Sequence, residues 1–155
     1  MCTYYICTDK IINNNVMWTK SHSIVTKEVT KEQMWKLFSD VNNWHVWDKG
    51  CEFAKMEGKF EKGNHLILRP KGGPNVKIEL LDVIENKSFL DVTKFPLAKM
   101  YDNHQFEETA NGLKITHTIS VKGILGFLWV KIVAQKLADA LPTDMQEQIK
   151  AASKL

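Results

Sequence analysis

The segment from Gly123 to Leu155 constrains the fold most, because it has the pattern of one long amphipathic helix. Its apolar residues recur at spacings of three and four, which keeps them on one side of a helix. These residues are Val130, Val133, Leu137, Leu141, Met145, Ile149 and Ala152. A helix of about 30 residues would be about 45 Å long, so we expect Pro142 to kink or interrupt it. We predict that Leu125–Leu141 walls a cavity formed by a curved sheet, and that the part after Pro142 caps the edge of the sheet.

The chain before this segment begins with one strand and two short helical elements. Residues Val16–Val29 are rich in Val, Ile, Thr and Trp, which favour strands. Thr30 followed by Gln33 is the signature of a capping box and predicts a helix over Lys31–Phe38. Two tryptophans three residues apart then predict a short helical turn within Val41–Gly50.

From residue 51 the apolar pattern changes to that of strands. Six candidate strands are separated by short turns rich in glycine, asparagine and proline. They are Cys51–Met56, His65–Arg69, Val76–Ile84, Phe89–Thr93, Lys99–Glu108 and Leu113–Lys122. Sequential strands with short turns form an antiparallel meander, and seven strands are more than a flat layer usually holds without curling. We therefore predict an α+β fold in which a curved seven-stranded antiparallel sheet wraps around the long C-terminal helix.

The composition is that of a single ordinary domain. The chain has 155 residues, of which 44% are hydrophobic and 25% are charged. A chain of this length buries one sizeable core, and these shares argue against disorder or a fibrous repeat. We assign residues 16–155 to one ligand-binding domain and residues 1–15 to a poorly ordered or loosely attached leader.

Cysteine usage and apolar runs predict a cytoplasmic protein. Cys2, Cys7 and Cys51 are an odd number without metal-ligand spacing, which argues against a disulfide framework or a structural zinc site. The first residues lack the pattern of a secretion signal, and no run of about 18 apolar residues occurs. We expect no transmembrane segment.

The charge distribution argues against a nucleic-acid partner. Lys and Arg number 21 against 18 Asp and Glu, which gives a net charge of +3. The lysines are scattered, whereas nucleic-acid binding favours a clustered stripe that includes arginines.

Several short motifs occur in the order found in a known family. They are Trp44-x-x-Trp47-Asp48, Gly58-x-Phe60-x-x-Gly63, Lys71-Gly72-Gly73-Pro74, Ser88-Phe89, Pro96-Leu97-Ala98, His104, Thr116-His117, Gly123 and Leu141-Pro142. With the order of strands and helices, they make the chain resemble the polyketide cyclase/dehydrase-like branch of the SRPBCC (START-like, helix-grip) superfamily over residues 16–155. The resemblance implies a deep, mostly apolar pocket between helix and sheet. Members bind lipids, polyketides or hormones, some are cyclases or aromatases, and others act like cochaperones, so the fold alone does not fix the reaction.

The last predicted hairpin carries the most informative polar residues. In the strand 100–108, Asp102 and His104 alternate onto the more apolar face, and in 113–121 His117 lies on a clearly apolar face. A turn near residues 110–112 pairs these two faces and brings His104 opposite His117. We expect all three side chains to point toward the helix.

Three roles are open for these side chains. His104 and His117 would anchor a ligand carbonyl or hydroxyl, or act as general acid and base, or form a structural pair with each other or with Asp102. Two histidines and one aspartate would also suit zinc with an open position, but no other motif supports a metal, and we predict none.

The predicted cavity is lined by apolar residues of the sheet and the long helix. They are Ile78, Leu80, Ile84, Met100, Phe106, Ile115 and Ile119, with Val133, Leu137 and Leu141 on the helix. Trp44 and Trp47 either line the mouth of the pocket or plug the end of the sheet as core residues. A pocket of about 300 Å³ or more would bind a small molecule, whereas a solid core would leave an interaction module.

The sequence therefore predicts a binding protein for a hydrophobic small molecule, which is aromatic, polyketide-like or lipid-like. The second hypothesis is a cyclase or dehydratase that uses His104 and His117 without a cofactor. The third is a protein-interaction module without a ligand. We expect a monomer or a homodimer.

Overall fold

The computed structural model describes residues 16–155, so the predicted leader, residues 1–15, lies outside the described residues. The strands are β1 (Val16–Thr26), β2 (Cys51–Met56), β3 (His65–Pro70), β4 (Val76–Ile84), β5 (Ser88–Phe95), β6 (Ala98–Thr109) and β7 (Gly112–Lys122). They form one sheet in the order β1-β7-β6-β5-β4-β3-β2, and every neighbouring pair is antiparallel. The predicted seven-stranded antiparallel sheet is confirmed.

Two short helices follow β1, and one long helical segment ends the chain. The short helices are α1 (Lys31–Ser39) and α2 (Trp44–Trp47). The long segment consists of α3 (Gly126–Trp129), a π-helical turn (Val130–Ala134) and α4 (Gln135–Ala152), which follow one another without a gap. The predicted α+β architecture, with a long helix packed on a curved sheet, is confirmed.

The start of α1 has the predicted capping box. The Gln33 backbone N–H donates to Thr30 Oγ1 at 3.2 Å, and the Thr30 backbone N–H donates to Gln33 Oε1 at 2.9 Å. Both bonds satisfy amides that a helix end would leave without partners. The helix then buries Met34, Leu37 and Phe38 against the sheet.

Pro142 does not interrupt the long helix as predicted. Helix α4 runs through it from Gln135 to Ala152, and the irregular turn lies earlier, at Val130–Ala134. Pro142 lies on the exposed side of α4. Proline has no backbone N–H to donate to the carbonyl oxygen four residues earlier, and on the exposed side water can donate to that oxygen instead.

The part of α4 after Pro142 is a core element, so its predicted role as a cap on the edge of the sheet is wrong. Met145, Ile149 and Ala152 are buried in the larger apolar cluster, together with residues of α1 and most strands. A smaller cluster lies nearer the start of the long helix and includes Ala134 and Leu141. The helix therefore contributes to both clusters along its length.

Candidate functional site

The β6–β7 hairpin brings two histidines together on the inner face of the sheet. His104 lies directly opposite His117 in the strand register, as predicted, and Asp102 lies two residues before His104 on the same face. On the other side of β7, His22 of β1 lies opposite His117. The three histidines form a row across three neighbouring strands.

The polar groups converge on one carboxylate oxygen. His117 Nε2 hydrogen-bonds Asp102 Oδ1, and His104 Nε2 lies 3.5 Å from the same oxygen. The two imidazole rings have centroids 3.9 Å apart. We call Asp102, His104 and His117 the polar cluster.

Aromatic rings enclose the polar cluster from the side of β5 and α1. Phe89 stacks on His104 with ring centroids 4.2 Å apart and an angle of 14° between the planes. Phe38 of α1 approaches the same imidazole at 4.8 Å. Both imidazoles of the cluster are buried, so their hydrogen bonds are formed in an environment of low polarity.

Burial sets the charge of His104. Burial, and to a lesser degree His117, lower the pKa of His104 to about 3 against the opposing effect of Asp102. A group with this pKa is neutral near pH 7. His104 is therefore a hydrogen-bonding imidazole rather than a cation.

Asp102 and Asp91 lie opposite each other on β6 and β5 and have opposite pKa shifts. Burial raises the pKa of Asp91 well above its usual value, and the neighbouring Asp102 adds to the rise. Burial alone would also raise the pKa of Asp102, but His117 and His104 outweigh it and lower the pKa. Two neighbouring carboxylates do not both ionise readily, so Asp102 loses its proton at a lower pH than Asp91 does.

Asp91 and His22 are not among the residues predicted from the sequence. A usable signal existed, because Asp91 alternates with Phe89 and Thr93, and His22 alternates with Ile24, so both share a face with apolar residues. Only the strand register shows that Asp91 lies beside Asp102 and that His22 lies beside His117.

One nitrogen of the polar cluster lacks a partner. His117 Nδ1 is buried and has no hydrogen-bond partner among the described residues. When Nε2 carries the proton donated to Asp102, Nδ1 is an acceptor. A buried acceptor without a donor costs about 1–3 kcal/mol, so the site favours a molecule that donates a hydrogen bond there.

The polar cluster is also the set of described residues that could hold a metal ion. One ligand atom from each of Asp102, His104 and His117 lies within 4.8 Å of the others. An ionised carboxylate and neutral imidazoles are zinc ligands. The Asp102–His117 hydrogen bond already joins two of these donors, so the geometry does not require a cation.

Comparison with solved structures identifies the fold. No protein-family model matches the sequence, and no curated protein matches it. The hypothetical protein jhp0584 from Helicobacter pylori matches with a TM-score of 0.72 at 12% identity, over 98% of this chain and 97% of that chain. A START superfamily protein from Mycobacterium smegmatis matches with a TM-score of 0.64 at 12% identity, over 85% of this chain and 97% of that chain. The chain has the helix-grip fold.

A third match extends the likeness to biosynthetic proteins. The di-domain ARO/CYC StfQ from the steffimycin biosynthetic pathway matches with a TM-score of 0.69 at 9% identity, over 94% of this chain and 53% of that chain. The START-like, polyketide cyclase-like resemblance predicted from the motifs is confirmed as a likeness of fold. Sequence identities this low leave the ligand of this helix-grip chain to be argued from its own residues.

Most residues predicted to line the helix-grip cavity lie in the apolar interior. Leu80, Met100, Phe106, Ile115, Ile119 and Leu141 are buried, and Ile78 and Val133 are partly buried against the two apolar clusters. Their inward orientation agrees with the predicted face. Whether they surround a ligand or fill a solid core stays a prediction.

Two predicted lining residues, Ile84 and Leu137, are too exposed for this role, at 46% and 39%. In β4 the register shifts between Leu80 and Asp82, which turns Val83 inward and Ile84 outward. In the long helix the buried stripe runs through Ala134, Leu141 and Met145, which leaves Leu137 at its margin.

The two tryptophans of α2 pack against the core. Trp44 Nε1 donates to the Phe38 carbonyl oxygen at 3.0 Å, and Trp47 makes an edge contact with the Phe38 ring at 5.9 Å. Trp47 also lines a surface groove of about 620 Å³ between α1, α2 and the end of α4. Both tryptophans therefore pack against the core, and a role at the mouth of a ligand pocket stays a prediction.

No helix among residues 16–155 is long and apolar enough to cross a membrane.

Proposed function

We propose that the chain binds a hydrophobic small molecule between the long helix and the sheet, with polar anchoring by Asp102, His104 and His117. The molecule is aromatic, polyketide-like or lipid-like and carries a hydroxyl group. The observation that carries the proposal is His117 Nδ1, a buried ring nitrogen that has no hydrogen-bond partner among the described residues. A ligand hydroxyl that donates to this nitrogen would satisfy it.

The surroundings of the polar cluster support this proposal. Phe38 and Phe89 flank His104 and offer flat apolar faces to an aromatic or acyl group. The proteins that share the fold include a START superfamily protein and two ARO/CYC proteins of biosynthetic pathways. The family resemblance implies a mostly apolar pocket at this place in the fold.

Ligand binding is tested on freshly purified protein. Native mass spectrometry should detect a retained molecule, and a panel of hydrophobic hydroxyl compounds should raise the melting temperature. His117→Gln should reduce the affinity for the best compound about tenfold, because it removes the Nδ1 acceptor. His65→Gln is the matched control, since His65 is exposed on β3, and it should bind normally. The absence of both a retained molecule and a melting shift would contradict the proposal.

A second candidate function is acid–base catalysis by the same cluster. It is favoured by the Asp102–His117 hydrogen bond, since a carboxylate that orients an imidazole is a common arrangement for a general base. Neutral His104, with a pKa of about 3, would stabilise a carbonyl group by hydrogen bonding only if its ring N–H faces the substrate. That His104 and His117 act as general acid and base stays a prediction.

Catalysis is separated from binding by product analysis. The compound of the panel that binds best is incubated with the protein, and loss of water or ring closure is followed by mass spectrometry. Turnover by the native protein that His117→Gln lowers more than 100-fold in kcat, with a smaller change in KM, would support the enzyme. Binding without any change in the mass of the compound, or in its chromatographic mobility, would reject it.

A further inference from the structure

An exposed apolar surface lies at the start of the long helical segment. It consists of Leu97, Ile124, Phe127, Leu128 and Ile132, which are 65%, 79%, 58%, 38% and 55% exposed. We call these five residues the apolar surface. Single exposed apolar side chains are ordinary, whereas a contiguous group of large ones marks an interaction site.

Hydrogen bonds hold the two parts of the apolar surface together. The Leu125 backbone N–H donates to the Leu97 carbonyl oxygen at 3.2 Å, and Trp129 Nε1 donates to the Pro96 carbonyl oxygen at 3.1 Å. The β5–β6 turn therefore lies against α3. Ile124 lies in the turn that precedes α3, Phe127 and Leu128 lie on α3, and Ile132 follows in the π-helical turn.

Several lysines lie near the apolar surface. Lys99 and Lys122 lie directly opposite each other on β6 and β7, next to Leu97 and the start of α3. Lys131 is exposed in the π-helical turn. The chain has no acidic residue between Glu108 and Asp139, so this stretch adds no negative charge.

We propose that the apolar surface docks the protein on an anionic lipid bilayer. The apolar side chains insert at the boundary between headgroups and acyl chains, and the surrounding lysines contact anionic headgroups. A bilayer fits this surface better than a protein partner does. The apolar side chains project from a turn and a short helix, and a bilayer accepts such projections without a complementary shape, while its charge complements the lysines.

Vesicle sedimentation tests the docking. The native protein is mixed with vesicles of phosphatidylcholine alone or of phosphatidylcholine with phosphatidylglycerol, and the bound fraction is measured after centrifugation. We expect binding to the anionic vesicles, about tenfold weaker binding to the neutral ones, and weakening as salt is added.

Paired variants separate the apolar and the charged contributions. The double variant Ile124→Ser, Phe127→Ser should bind anionic vesicles at least about tenfold more weakly. The double variant Lys99→Glu, Lys131→Glu should also bind at least about tenfold more weakly, because it replaces two positive charges near the anionic headgroups by negative ones. Val46→Ser is the apolar control, since Val46 is exposed on α2, and Lys27→Glu is the charge control. Neither control should change binding.

Three results would overturn the proposal. The first is no binding of the native protein to anionic vesicles. The second is equal binding by the native protein and both double variants. The third is a dimer in light scattering that Ile124→Ser, Phe127→Ser dissociates, without vesicle binding, which would assign the surface to a second copy of the chain. Because the substituted positions are exposed, both double variants should keep the melting temperature of the native protein. Phe127→Leu keeps a large apolar side chain, so it should bind anionic vesicles as the native protein does.

This inference does not depend on the proposed small-molecule ligand. Vesicle binding is measured on protein without added compound, and the residues changed to test it are exposed and lie outside the polar cluster. Failure of one proposal therefore leaves the other standing.

Discussion

His104 and His117 face each other across β6 and β7, with ring centroids 3.9 Å apart, and both approach the same oxygen of Asp102. One carboxylate thus serves two buried imidazoles.

Asp102→Asn should destabilise the protein. The change removes the charged acceptor of the His117 hydrogen bond, and a hydrogen bond to a charged group contributes about 1.5–3 kcal/mol. Urea unfolding should report a loss in that range. Asp139→Asn is the control, because Asp139 is exposed on α4, where it accepts from Gln135. A loss equal to that of the control would show that the buried carboxylate does not hold the cluster together.

The native protein should lose stability on acidification because of His104. Its pKa is about 3 when folded and 6.5 when unfolded, so the unfolded chain binds a proton that the folded protein refuses. This contribution is present above about pH 6.5 and falls as pH decreases toward 3, by about 1 kcal/mol per pH unit below about pH 6. Unfolding should be compared between the native protein and His104→Gln. The variant should show a shallower slope by that amount, and parallel slopes would contradict the neutral buried imidazole.

Asp91→Asn should stabilise the protein more at high pH than at low pH. The folded-state pKa of Asp91 is raised by burial and by Asp102, so its contribution to stability is present at low pH and is lost as pH rises above the unfolded value. An amide carries no such penalty. Melting temperatures at about pH 4 and about pH 8 should diverge in favour of the variant at the higher pH. A gain confined to pH 4 would reverse the assignment of the proton between Asp91 and Asp102.

Gly123→Ala should be strongly destabilising. Gly123 has a φ of +117°, and an added Cβ would lie 2.4 Å from the Leu97 carbonyl oxygen and 2.6 Å from Ala98 Cα. Both the backbone conformation and the contact are unfavourable, so we expect a loss of more than about 3 kcal/mol. Gly63→Ala is the control, with a φ of +88° and nothing within 4 Å, and it should cost only about 1–2 kcal/mol. Equal losses would mean that the turn can move away from β7.

Leu141→Ala and Leu137→Ala should differ although the two residues are one helical turn apart. Leu141 is buried in the smaller apolar cluster, whereas Leu137 is 39% exposed. Truncation of a buried leucine costs about 2–5 kcal/mol, and that of a surface residue usually less than about 1 kcal/mol. Chemical denaturation measures both. If Leu137→Ala is the more damaging change, the orientation of α4 is wrong.

Local patterns were sufficient to predict the elements of the fold. The Thr30–Gln33 capping box and the alternation around His104 and His117 depend on neighbouring residues, so the sequence alone places them. The capping residues and the hairpin register agree with the structure for this reason. The order of strands followed from short turns in the same way.

Irregularities of the backbone were not predictable from periodicity. A pattern with a constant period assigns Ile84 to the inner face, but a single register shift in β4 reverses every side chain after it. Asp91 shows a second limit, because its importance arises from Asp102 on the neighbouring strand. Contacts between strands do not follow from the pattern of one strand.

The π-helical turn at Val130–Ala134 lies between the apolar surface and α4, and it affects the direction in which each of them faces. A π turn holds one residue more than an α-helical turn, and each residue advances a helix by about 100°. Deletion of one residue from this turn would rotate Ile124 and Phe127 by about that angle relative to Met145 and the core. The turn therefore rotates the start of the long helical segment relative to α4. One continuous segment can then present apolar residues to the outside at its start and to the protein interior at its end.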